Sequence, residues 1–206
     1  MLFSLTGASG AGKSTVLAHL ETVDWGTPVH CVEFDSIGVP DDADTAWRHG
    51  AIEHWAQQAL AAQADGAHVL LCGQVPMGEL LAAPSADRLE GIAVCLLHCS
   101  PEVRSERLLQ RGEDPGAIMH HNRFGDWFRA HTIDPTHAPE VIRVSSDVPM
   151  QWSRWADARP GDPQWRAEIV DTDSLTPAQT ARLVEAWVRG ELESRRHAAS
   201  GIAGLT

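Results

Sequence analysis

Gly7-Ala8-Ser9-Gly10-Ala11-Gly12-Lys13-Ser14 decides the reading of this 206-residue chain. A short apolar run, LFSLT at 2–6, precedes it. After it, Val16, Leu17 and Leu20 recur at helical spacing, so a helix starts near Lys13. A strand, a Gly-x-x-x-x-Gly-Lys-Ser loop and a helix in that order form a phosphate cradle. The glycines let the backbone turn tightly, with consecutive N–H groups facing inward, and the helix adds its positive end. Lys13 supplies a point charge for terminal phosphates, and Ser14 offers a hydroxyl to Mg2+. The expected nucleotide contacts are Gly7, Ser9, Gly10, Ala11, Gly12, Lys13, Ser14 and Thr15.

Working outward, apolar runs at 29–34, 67–72 and 92–98 read as strands, with a last one at 166–170. The first three are continuously apolar, as in parallel strands covered on both faces. Helices are expected at 44–64, capped by Asp44 or Thr45, and at 101–110, opened by Ser100 and Pro101. A third is expected at 176–192 behind Thr176 and Pro177. Strands alternating with helices give an α/β fold with a mostly parallel five-stranded sheet. One domain spans 1–192. The irregular stretch 113–163 reads as a helical lid insert at the carboxyl ends of the strands, with helices near 118–130 and 150–158. Trp127, Trp152 and Trp155 lie in it and Trp165 just after it; they read as core residues of this insert or as stacking platforms. Residues 193–206 read as a frayed tail.

Asp35 ends the second strand and begins a Gly/Pro loop, which puts its carboxylate beside the phosphate cradle. There it can take a proton from an attacking hydroxyl; the alternative is a turn aspartate. Glu33 is a weaker candidate for the same role. Arg104, Arg107 and Arg111 share one helical face. Arg107 and Arg111 are expected to neutralise a transferring phosphoryl group, and Arg104 to lie on a solvated face. Gln74 is a candidate for orienting substrate or water. Arg48 is a candidate contact for an anionic acceptor, or else a surface ion pair. Arg123 is a further lid candidate. The third strand ends Leu71-Cys72-Gly73-Gln74 without an acid, which argues against a motor-type ATPase.

The chain carries 28 acids against 16 bases, a formal net charge of −12. That field repels phosphate backbones and anionic membranes, so nucleic-acid binding is disfavoured. No transmembrane run or signal peptide is seen, and the four cysteines lack metal or redox spacing. These features point to a cytoplasmic protein. Of the bases, only Lys13 is a lysine. A guanine-reading Asn-Lys-x-Asp motif is thereby excluded, and the base tilts to adenine.

The phosphate loop at 7–14, Asp35, the segment SPEVRSERLLQRG at 100–112 and Ile169-Val170-Asp171-Thr172 appear in an order that resembles P-loop kinases of the small-molecule phosphotransferase group. That group includes shikimate and gluconate kinases, adenylylsulfate kinase, chloramphenicol phosphotransferase and the kinase domain of polynucleotide kinase. The resemblance covers 1–112 and 165–190. It implies a P-loop NTPase three-layer sandwich and a kinase using ATP and Mg2+. It also implies γ-phosphoryl transfer to a hydroxyl of a small-molecule acceptor, with Asp35 as general base. Residues 104–112 would lead into the lid, and 169–178 would surround the adenine. A homodimer is compatible with this reading. Two alternatives stay open: a nucleotide or polynucleotide 5′-hydroxyl kinase, and a nucleotide-gated regulatory protein with weak ATPase activity.

Overall fold

In the computed structural model, the backbone of residues 1–203 and the side chains of 1–197 are described. Five strands form one sheet: β1 (Leu2–Thr6), β2 (Val29–Glu33), β3 (His68–Gly73), β4 (Ile92–His98) and β5 (Ala167–Asp171). All pairings are parallel, in the order β2-β3-β1-β4-β5. Every β1 residue is buried, Ser4 and Thr6 included, as its central place in the sheet requires.

Two apolar layers flank the sheet. On one face, α1 (Lys13–Leu20) and α6 (Pro177–Ala203) pack on Phe3, Leu5, Leu70 and Cys95. On the other, α2 (Thr45–Ala64), α3 (Met77–Ala82) and α5 (Ile118–Ile133) cover Leu2, Val69, Leu71 and Leu96. The helix α4 (Pro101–Gln110) follows β4, with Ser100 as its cap. Asp44 caps α2 by accepting from the Trp47 N–H. None of the described helices is long and apolar enough to cross a membrane.

Three sequence expectations need correction. The helix expected at 150–158 is only the single turn Trp152–Arg154. Its residues are held instead by Arg154, whose guanidinium donates to the carbonyls of Leu81, Ala83 and Pro84. The last helix continues beyond 192 to Ala203, with Arg195 lying against Gly91; residues 204–206 of the expected tail fall outside the described residues. Thirdly, part of 113–163 is built into the core. Trp127, Phe128, Ile142, Trp155 and Ala158 join the same core cluster as Leu71 and Leu96, and Trp165 joins them from just beyond. These large apolar side chains of the insert help to complete one layer of the sandwich.

At the centre of that layer His131 is fully buried among three tryptophans. Trp127 stacks on it at 5.1 Å, while Trp165 and Trp155 meet it edge-on at 5.3 and 5.7 Å. Its Nδ1 donates to the His137 carbonyl, and its Nε2 has no partner. Burial pushes its pKa below the ordinary histidine value, so the ring is neutral in the folded chain.

Candidate active site

The phosphate loop lies where β1 turns into α1, at the carboxyl end of the sheet. Gly7, at φ +150°, runs so close to β4 that a Cβ would fall 2.3 Å from the Leu97 carbonyl oxygen. Gly10, at φ +82°, is strained for any side chain, and a Cβ there would press on Arg104 at 3.0 Å and Leu108 at 3.3 Å of α4. Neither position admits a side chain, so the loop is wedged between β1, β4 and α4. Thr6 braces its start: the hydroxyl shares its one proton between the Gly73 and Val75 carbonyls and accepts from the Val75 N–H.

Lys13 folds back over the loop and donates to the Ala8 carbonyl at 3.1 Å. Burial lowers its pKa, an effect opposed by Cys72, Glu33 and Asp35. Ser14 and Thr15, at the start of α1, are exposed. A cavity of about 250 Å3 gathers Ser9, Lys13, Ser14, Glu33, Asp35, Gln74 and Arg111. Asp35 stands exposed on the 3-10 turn Phe34–Ile37 that follows β2. Sequence reasoning underrated Glu33, which lines the same cavity. It ends β2 in register with Cys72, whose thiol burial and the Glu33 carboxylate push up to about 12. Glu33 thus brings a carboxylate beside the end of β3, the strand that supplies none. Gln74 donates to the Ser9 hydroxyl at 2.9 Å, so it steadies the loop.

A second cavity, of about 310 Å3, continues from the loop past α4. Its far wall is Thr172, Leu175, Pro177 and Thr180, apolar apart from hydroxyls, and Arg107, Gln110 and Arg111 close the side. The two cavities share Gly10, Gly12, Thr15 and Arg111. One therefore suits phosphates and a reacting hydroxyl, the other a base and sugar.

The three arginines of α4 do three different things. Arg104 is not solvated: it is 1% exposed. It donates to the Cys99 carbonyl and to Asn122 of α5, with Asp126 at 3.6 Å. Its aliphatic stem packs on the phosphate loop, and its charge is held by carbonyls. Arg107 donates to the carbonyls of Gly10 and Thr172 and to the Thr172 hydroxyl. Its guanidinium is a clamp joining the loop to the end of β5. Of the three, Arg111 alone borders both cavities, and its side chain makes no hydrogen bond or ion pair among the described residues.

Two expected acceptor contacts are placed elsewhere. Arg48 makes a two-pronged ion pair with Glu79 of α3, at 2.7 and 2.6 Å, and Glu79 is fully buried. The guanidinium is thereby spent inside the fold. The pairing spans 31 residues, and no local spacing announced it. Arg123 is exposed on α5 and lines neither cavity.

Residues 4–127 match the family model described as AAA domain. No curated protein sequence matches the chain. Among solved structures, an unliganded sugar kinase from Janibacter sp. HTCC2649 superposes with a TM-score of 0.57 at 13% identity, over 91% of this chain and 93% of that one. A gluconokinase from Sinorhizobium meliloti 1021 gives 0.51 at 17% identity, covering 94% and 95%. The crystal structure of APE1195 gives 0.53 at 17% identity, covering 92% and 95%. At such identities the likeness is one of fold, and the fold is that of the P-loop kinases.

Proposed function

As this chain belongs to the AAA domain family, with the fold of P-loop kinases, we propose that it is an ATP-dependent kinase that phosphorylates a hydroxyl of a small-molecule acceptor. One observation carries this reading: a single cavity brings together the phosphate loop, Lys13 and the exposed carboxylate of Asp35. The β- and γ-phosphates would lie along the N–H groups of 8–14 and under Lys13, whose lowered pKa a bound polyanion restores. The nucleoside would occupy the cavity between α4 and 172–180, held open by the Arg107 clamp. The Ser14 hydroxyl, with Glu33 and Asp35 close by, suits Mg2+, which supplies charge neutralisation on the phosphates. Asp35 accepts the acceptor's proton as its oxygen bonds to the γ-phosphorus and the bridge to the β-phosphate breaks. Arg111, being free, is the cation able to follow the charge of the transferring group.

The regulatory alternative fits less well, because the end of β3 supplies no acid of its own to organise metal and water for hydrolysis. The test is Asp35→Asn. ATP binding is expected to persist within a factor of about two. Phosphoryl transfer should fall by roughly 10²- to 10⁴-fold, the usual worth of a general base. Transfer at the wild-type rate would remove Asp35 from this role.

A further inference from the structure

We propose that the acceptor is an amine-bearing alcohol, its ammonium seated between Trp47 and Asp147 while its hydroxyl meets Asp35. The proposal rests on the kinase reading above and adds the substrate class.

A groove of about 460 Å3 opens beside the site, between the Phe34–Ile37 turn, the beginning of α2 and the strap at 147–148. Ile37, Ala46, Ala51 and Val148 make it largely apolar, and the half-buried Trp47 offers an aromatic ring. Its one carboxylate is Asp147, which is exposed and has no hydrogen bond or ion pair among the described residues. An aromatic ring and a free carboxylate in one apolar groove are complementary to an ammonium group.

The groove also lies at the right place. Asp35 lines the phosphate-loop cavity, and Ile37 lines the groove. The two residues belong to one 3-10 turn, where two positions rise about 4 Å. A single small molecule spans that distance.

Charge excludes the opposite class. Residues 33–54, which run from the end of β2 into α2 along this side of the cleft, hold six acids against a single arginine and no lysine. That arginine is Arg48, and Glu79 already holds it. No arginine or lysine of this wall is left to receive a carboxylate or phosphate on the acceptor, the groove's one other basic side chain being the imidazole of His54, whereas the field of the wall draws a cation in.

The full-length protein, radiolabelled ATP and a panel of amino sugars, amino polyols, their N-acetylated forms, neutral sugars and sugar acids test the idea. Amine-bearing alcohols are expected to be the best acceptors. N-acetylation should lower kcat/KM about tenfold, the worth of one partly exposed cation contact. Asp147→Asn should collapse the ratio of kcat/KM between an amine and its N-acetyl form towards one. Preference for a neutral or acidic acceptor, or an unchanged ratio in Asp147→Asn, overturns the proposal and leaves the kinase reading standing. Lys13-dependent ATP binding with no product from any class overturns the kinase reading, and this proposal with it.

Discussion

Arg48→Met is a severe test of the assignment of Arg48 to the fold rather than to the acceptor. Glu79 is fully buried, and both its oxygens are held by the Arg48 guanidinium at 2.7 and 2.6 Å. The nearest other side-chain nitrogen, His49 Nε2, stands 3.4 Å away and already faces the Ile142 carbonyl at 3.0 Å. Methionine preserves the bulk of the stem but strands the carboxylate. Breaking a buried pair from one side costs about 3–5 kcal/mol. For a chain of this size each kcal/mol moves Tm by roughly 2–4 °C, so a fall of about 6–20 °C is expected. Removing both charges, in Arg48→Met with Glu79→Leu, should recover most of the stability, because an apolar pair needs no compensation there. Thermal unfolding of the wild type, both single variants and the double variant closes the cycle. A Tm within about 2 °C of wild type for Arg48→Met, together with a raised acceptor KM, would refute the reasoning and return Arg48 to the substrate.

Other substitutions probe the remaining parts. A Cβ at Gly125 would lie 2.2–2.4 Å from the Arg104 guanidinium; Gly125→Ala should therefore cost about 1–3 kcal/mol in urea unfolding. Lys13→Arg should fold normally and lose about 100-fold or more of phosphoryl transfer in a steady-state assay, because a planar guanidinium does not fit the slot over Ala8. Burial keeps His131 neutral when folded, whereas the unfolded chain takes up a proton near pH 6.5. The unfolded state thus binds more protons in acid, and stability must fall as pH drops below 6.5 until the lowered folded value is reached. The slope is at most about 1.4 kcal/mol per pH unit for that ring. His131→Phe should flatten the slope measured by urea unfolding across pH 5–7.5.

Much of this architecture was legible because its signals are local. β1, β4 and α4 read directly from apolar runs and from Ser100-Pro101, and the phosphate loop is contiguous in sequence. Asp35 followed from its place just past the carboxyl end of a parallel strand, although β3 lies between β2 and the phosphate-loop strand β1. What escaped depends on distant partners. Arg104 and Arg107 lie on the same face of α4, yet they differ because Asn122 and Thr172 approach from other segments. α3 is six residues long and has no periodicity to detect. The stretch 113–163 looked like a lid because its helical signal was weak. Its tryptophans pay for its order by filling the sandwich, with indole N–H groups reaching carbonyls: Trp127 to Ala138 and Trp155 to Gly78. Trp165, just beyond, does the same to Thr132.

The uneven use of basic residues follows from the same physics. A chain with this much irregular backbone has many carbonyls that no helix or strand satisfies. A guanidinium is planar and forked, so it gathers several at once. Arg154 collects three consecutive-region carbonyls around α3, Arg107 joins Gly10 to Thr172, and Arg104 joins Cys99 to Asn122. In each case one side chain ties two segments that share no ladder. An ammonium can also donate three bonds, but from a single point, and it spans no such gap. Over the phosphate loop the demand is reversed. Lys13 makes one internal bond, to Ala8, and must exchange it for phosphate oxygens. A compact charge that leaves one carbonyl easily serves that exchange, while a fork holding two or three would resist it. The single lysine therefore stands where the charge has to move, and the arginines of this site stand where it has to stay, save Arg111 at the junction of the two cavities.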